Sequence, residues 1–290
     1  PPTEVLEDIV AAMKNQIAAH GLTPARLLGV GVGASGLVNH QTGVNVLAPN
    51  LRWRDVAVRE FLETRLKLPV TIDNNVRAMA LAEAIFGAGK GVNSLAFVYG
   101  RVGVGAGFVV GGKIFRGSSL GAGEIGHTIM IAEGGERCRC GNNGCLETLV
   151  SESQLIAQAA ALVERYPDSV LARQLQTTGA SLSIQEIFSA ARAGDKHIRQ
   201  MIEQRACYLG MALANLVNIL NPELILLGGL FAEGHDLILP VAEAKMRSVA
   251  FAGLGDKVRL EVTRFGWQAG VLGAATMALM AYFYQEPEMT

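Results

Sequence analysis

The stretch from Gly123-Glu124-Ile125-Gly126-His127 to Cys138-Arg139-Cys140-Gly141-Asn142-Asn143-Gly144-Cys145-Leu146-Glu147 constrains the fold more than any other part of the chain. Three of the four cysteines fall within eight residues, and His127 lies ten intervening residues upstream of the first. Thiolate sulfur and imidazole nitrogen together suit Zn²⁺. His127, Cys138, Cys140 and Cys145 supply the four ligands of a closed, tetrahedral structural site, one ion per chain. Gly141 and Gly144 stand between the second and third sulfurs, where the backbone must fold back to bring both onto one ion. Cysteines that are simply buried are the plainer alternative; their crowding beside a histidine favours the metal.

Glu124 stands three residues before His127, and Glu147 two residues after Cys145. A metal held here pins both carboxylates and the imidazole edge near one another. Ionised carboxylates accept hydrogen bonds from hydroxyl donors, so Glu124, His127 and Glu147 form a candidate binding set for a polyol. Taken singly, each carboxylate reads as a solvated surface charge.

With 290 residues, the chain is long enough for two α/β lobes. Half of it is apolar and its formal net charge is −1, so it carries no electrostatic footprint for nucleic acid or an anionic membrane. No apolar run approaches the roughly 18 residues of a spanning helix. Three cysteines claimed by a metal argue for a reducing, cytoplasmic setting and against a disulfide framework. Cys207 falls in an apolar helical pattern and reads as a small core residue. His20, His40, His197 and His235 have no partners in sequence and read as surface or satisfied histidines. Trp53 and Trp267 read as core or rim.

The chain opens on Pro1 without an initiator methionine and reads as a processed or trimmed polypeptide. Thr3 is placed to cap a helix through Val5, Leu6, Ile9, Met13 and Ile17 that ends before Gly21. Leu27 to Gly33 and Val44 to Leu47 read as strands, Asp55 to Leu66 as a helix and Pro69 to Ile72 as a short strand. Capping-box patterns at Ser151 and Ser183 open further helices. A long helix runs from about Asp195 to Leu220, strands cover Glu223 to Leu227 and Val258 to Thr263, and a hydrophobic helix covers Gly270 to Tyr284. Gly228-Gly229 reads as a tight strand-to-helix turn. Gly31-Val32-Gly33-Ala34-Ser35-Gly36 matches a dinucleotide fingerprint formally, but a strand and a turn follow where a helix must start, so no nicotinamide cofactor is expected. Gly87-Ala88-Gly89-Lys90-Gly91 lacks the Ser or Thr of a phosphate-binding P-loop.

Gly-Glu-Ile-Gly-His followed by Cys-x-Cys-Gly-x-x-Gly-Cys-Leu-Glu resembles the signature of the ROK family, which groups bacterial sugar kinases with sugar-responsive transcriptional repressors. The resemblance extends from about Leu27 to about Ala281. It implies an α/β, two-lobed actin-like ATPase or sugar kinase (RNase H-like) fold, with sugar in a cleft between lobes. The smaller lobe is expected over 1–78 plus 270–290, with its N-terminal strands missing. The larger lobe is expected over 79–269, with the zinc site and an oligomer interface. Gly36, Asn50, Asn74 and Asn75 join Glu124, His127 and Glu147 as the sugar-binding candidates that the resemblance implies.

Three departures from the kinase pattern point away from catalysis. Kinases of the family carry Asn-Asp, whose Asp is the general base, where this chain has Asn74-Asn75. An amide cannot accept that proton, and losing a positioned base costs about 10²–10⁴-fold in rate. Asp73 is the nearest carboxylate in sequence. Kinase relatives also carry Gly-Thr-Gly-x-Gly around the ATP phosphates; here Val102 replaces the threonine, leaving a degenerate loop of Gly103, Gly105 and Gly107. The family's Asp-x-Gly-Gly-Thr hairpin is absent from these residues. No catalytic residue is therefore assigned. The expected function is the sugar- or sugar-phosphate-binding, self-associating (dimeric or tetrameric) portion of a repressor that controls carbohydrate-metabolism genes. It would contact DNA only through a missing N-terminal helix-turn-helix segment and would have no membrane partner. The alternatives are an ATP-dependent sugar kinase, with ATP as its second substrate, and a zinc-stabilised module without a sugar ligand.

Overall fold

The computed structural model describes residues 1–284 and divides the chain into two compact units. Among the described residues, the first comprises 1–93, 107–123 and 267–284; the second comprises 94–106 and 124–266. The sequence expectation placed 79–93 and 107–123 in the other lobe. They join the first unit because the helix over Asn75–Phe86 packs on the C-terminal helix, and Gly107 packs on the Asn75–Phe86 helix at Val76, Arg77 and Ala80.

In the first unit, α1 (Pro2–Ala19) packs on α2 (Val58–Leu66). Leu6 and Val10 meet Trp53, Val58, Leu62, Leu66 and Ile72 in one buried cluster. Pro2 rather than Thr3 opens α1, since proline is pre-set for a first helical turn. Strand β1 (Val30–Ala34) runs parallel to β5 (Val70–Asn74), which sets Ala34 beside Asn74. Strands β2 (Leu37–Asn39), β3 (Val44–Ala48) and β4 (Trp53–Val56) make an antiparallel sheet. The expected helix from Asp55 begins only at Val58, because Asp55 sits at φ +51° in β4. Helix α3 (Asn75–Phe86) follows β5 directly and packs on α11 (Ala269–Tyr282), which also covers β1.

The core of the second unit is parallel: β6 (Ser94–Gly100), β9 (Leu224–Gly229) and β10 (Arg259–Val262) lie side by side in the order β10-β9-β6. Leu224 to Leu227 are wholly buried, as the central strand of a parallel sheet requires. Strand β7 (Val104–Val110) carries the chain back into the first unit, where it pairs antiparallel with β8 (Lys113–Phe115). Helices α4 (Glu147–Val150), α5 (Glu152–Arg165), α6 (Val170–Thr178) and α7 (Ile184–Arg192) precede the 25-residue α8 (Lys196–Leu220). The short α9 (Leu230–Glu233) and α10 (His235–Val249) follow β9, and α10 packs along α8. Gly229, at φ +65°, makes the strand-to-helix turn. Ser183 caps α7 through Glu186 N, but the Ser151 side chain caps nothing; its hydroxyl meets Ser153 instead. Trp53 is a core residue, whereas Trp267 is 84% exposed.

Candidate ligand and metal sites

The metal-site residues gather within the second unit. Ile125–His127 forms a 3₁₀ turn, and bridges pairing Ile129 with Cys145 and Arg137 with Asn143 fold the segment back on itself. The result brings one ligand atom each from His127, Cys138, Cys140 and Cys145 within 4.8 Å of one another. His127 Nδ1 lies 3.6 Å from Cys138 Sγ, and Cys140 Sγ lies 3.7 Å from Cys145 Sγ. A tetrahedral ion with sulfur at about 2.3 Å and nitrogen at about 2.1 Å has ligand-to-ligand edges of about 3.6–3.8 Å. The donors thus stand at the spacing such an ion needs, and the sulfurs are far outside the roughly 2.05 Å of a disulfide. Burial and the neighbouring thiols push Cys145 up to about 12, so a metal that takes its sulfur as thiolate must displace a proton. A metal held through Nδ1 would leave the ring proton of His127 on Nε2, where it could donate to a hydroxyl.

The flanking carboxylates occupy different settings. Glu124 is exposed immediately before the 3₁₀ turn. Glu147 opens α4, is half-buried, and accepts a hydrogen bond from Val104 N at 3.0 Å. One Glu147 oxygen therefore braces the degenerate Gly-rich loop. In that loop Arg101 pairs with Glu152 at 3.3 Å and also with Glu233. Its carbonyl accepts from Glu152 N at 2.9 Å, and its own N–H donates to the Gly103 carbonyl at 2.9 Å. The guanidinium is thus satisfied by two carboxylates of the chain itself. Sequence reasoning passed over Arg101, although a cation inside a glycine-rich turn was a legible signal. Gly107 is needed for packing, since a Cβ there would lie 2.6 Å from the Val76 carbonyl of α3.

In the first unit, Asn74 is the N-cap of α3. Its Oδ1 accepts from Val76 N at 2.9 Å and Arg77 N at 3.2 Å, while its Nδ2 donates to the Gly36 carbonyl at 3.0 Å. Both ends of that amide serve the fold. Gly36 sits at φ +84°, and a Cβ would meet the Leu47 carbonyl at 2.1 Å, so only glycine fits. Asn75 is the first residue of α3 and is half-buried; among the described residues its side-chain amide makes no hydrogen bond, which leaves it available to a ligand. Asn50 is exposed in the turn after β3.

Asp73, the nearest carboxylate to Asn75 in sequence, is 1% exposed. It accepts from Asn74 N at 2.7 Å, Arg77 Nε at 2.9 Å and Arg116 Nε at 2.8 Å. Two guanidiniums hold it, so its carboxylate oxygens are already engaged by the chain itself. His40 lies in the field of this group. Burial lowers its pKa, helped by Arg116 and opposed by Asp73, and its Nδ1 is buried without a partner. The expectation that His40 is satisfied or on the surface fails there. No helix among the described residues is long and apolar enough to cross a membrane.

The ROK family pattern matches residues 1–281. The chain is 36% identical to a glucokinase of Halalkalibacterium halodurans over 93% of its own length and 81% of that protein. It is 35% identical to a putative xylose repressor of Caldicellulosiruptor sp. over 95% of its length and 68% of the repressor. Among solved structures, a ROK family transcriptional regulator homologous to the E. coli Mlc protein superposes with a TM-score of 0.84 at 31% identity, covering 96% of this chain and 69% of that one. A ROK family glucokinase from Streptomyces griseus, in complex with glucose and AMPPNP, superposes with a TM-score of 0.82 at 29% identity, covering 93% and 87%. The fold is the two-lobed actin-like sugar kinase fold, and the matching proteins include both repressors and kinases.

Proposed function

This chain belongs to the ROK family, and from that premise we propose that it is the sugar-binding effector and self-association portion of a transcriptional repressor of carbohydrate-metabolism genes. The observation that carries this reading is the head of α3. Asn75 stands where family kinases place their base, and Asp73 is locked between Arg77 and Arg116. Without a proton acceptor the attacking hydroxyl stays a poor nucleophile, while an amide still binds it well. Arg101, paired to Glu152 and Glu233 inside the Gly-rich loop, supports the same reading, because its charge is already met by the chain's own carboxylates.

The sugar-contact residues proposed are Asn50 and Asn75 in the first unit, and Glu124, Glu147 and His127 Nε2 in the second. Gly36 and Asn74 shape the first set from behind. Zn²⁺ is the ion proposed for the His127, Cys138, Cys140 and Cys145 set, in a structural role, with no open coordination position for chemistry. Operator contact is assigned to a helix-turn-helix segment beyond these residues, in keeping with the net charge of −1. Sugar would act by binding two states of the regulator unequally. The kinase reading is supported by the 36% identity to a glucokinase, which covers 81% of that enzyme.

A coupled phosphorylation assay with MgATP over a hexose panel, run beside Asn75→Asp, separates the two. The unmodified chain is expected to give no turnover; robust turnover would make it a kinase. In parallel, one sugar among glucose, xylose and N-acetylglucosamine is expected to raise the melting temperature. At a hundredfold excess over Kd the gain is about 2.7 kcal/mol, or roughly 4–5 °C for a chain of this size. A panel that moves nothing removes the sensor.

A further inference from the structure

The Asp73 group does more than withhold a base. Arg116 follows β8, and the chain after it turns back on itself, with Ala122 N bonded to the Arg116 carbonyl at 3.1 Å. This loop over 116–122 is fastened at two points. The Arg116 side chain binds Asp73, and Arg77 Nη1 donates to the Leu120 carbonyl at 2.6 Å. Leu120 sits at φ +60°, a left-handed conformation that a leucine adopts only when its surroundings hold it there. Asp73 is 1% exposed and Arg77 2%, so the anchor is rigid, whereas Arg116 is 30% exposed and spans from anchor to loop. The anchor adjoins Asn74 and Asn75 in the chain. Gly121 approaches Leu37 of β2, next to the Gly36 that Asn74 grips.

We propose that Asp73, Arg77 and Arg116 are positioning residues for sugar recognition: they fasten the 116–122 loop beside the head of α3, so that the ligand meets Asn75 in a preformed setting. The inference rests on the sugar-binding reading above and adds to it the residues that set affinity without touching the ligand. A loop ordered before binding costs the ligand no ordering entropy, and that saving appears as affinity.

The test is calorimetric titration of the full chain with glucose, xylose and N-acetylglucosamine, together with amide hydrogen exchange over 117–122 without sugar. Arg116→Met leaves Asp73 paired to Arg77, so the fold keeps its buried ion pair. The variant is expected to exchange faster over 117–122 and to bind the responding sugar at least about tenfold more weakly, with metal content unchanged. Arg116→Lys should recover binding to within about threefold, because a cation is restored. Should Arg116→Met be poorly folded, Arg116→Gln gives the same reading with a shorter polar side chain. Sugar binding that is unchanged in Arg116→Met, whether or not exchange accelerates, overturns the inference alone. A wild-type chain that binds none of the three sugars overturns the sensor reading and this inference with it.

Discussion

At the scale of single residues, the proposed function turns on one side chain, the amide at position 75. Asn75 keeps an acceptor oxygen for a hydroxyl and loses the capacity to hold its proton. That substitution is legible in sequence once the motif is recognised. The fate of Asp73 is not, because Arg116 lies 43 residues away. Arg77 was closer to legible: it lies four residues beyond Asp73, across the junction where β5 runs directly into α3. His40 shows what such a cluster does to a neighbour. Its pKa is lowered chiefly by burial, with Arg116, Arg77 and Arg59 adding to the effect and Asp73 opposing it. The folded state therefore binds fewer protons than the unfolded chain just below pH 6.5, so stability should fall as pH drops through that value towards the folded pKa. Urea midpoints between pH 7 and pH 5 should show this slope, and His40→Gln should flatten it. An unchanged slope would show that His40 is not its source.

At the scale of elements, helix termini carry much of the organisation. Asp195 is 2% exposed and caps two helices at once: Oδ1 accepts from His197 N and Ile198 N at the start of α8, and Oδ2 accepts from Leu171 N in α6 at 2.9 Å. The sequence pattern marks Asp195 as the start of a long helix, but the second helix it holds comes from tertiary structure. Losing an ordinary cap costs about 1 kcal/mol. Asp195→Ala also strands the buried Leu171 N–H, which adds about 1–3 kcal/mol. Chemical denaturation should therefore place Asp195→Ala well below Ser183→Ala, which removes a single cap at the head of α7. Equal losses would mean that the α6 contact contributes nothing. The missed strand β4 has a similar origin, since Asp55 takes a left-handed conformation that no propensity scale anticipates in a strand.

At the scale of the whole molecule, the Zn²⁺ proposed above would brace the second unit through four ligand groups drawn from 19 residues. Stripping the ion with a strong chelator, or changing Cys140→Ser, should lower the melting temperature by about 10 °C or more, since such sites contribute several kcal/mol to folding. Calorimetry with parallel metal analysis reads both quantities; a melting temperature indifferent to chelation would end the structural role. Metal uptake should also release protons, because the Cys145 thiol is held up at about 12 until a cation takes its sulfur.

What the sequence determined by itself is local in origin. The His and Cys spacing specifies a set of four candidate metal donors, the apolar run Leu224–Leu227 specifies a buried strand, and the amide at position 75 carries the proposal that a base is lost. Each depends on residue chemistry and near-neighbour geometry, which short-range pattern preserves. What only the tertiary structure decided depends on pairs far apart in the chain: Arg116 on Asp73, Arg101 on Glu233, Glu147 on Val104 N, and Asn74 on the Gly36 carbonyl. A long-range hydrogen bond leaves no periodicity in sequence, because its partners are selected by burial and shape after the chain has folded.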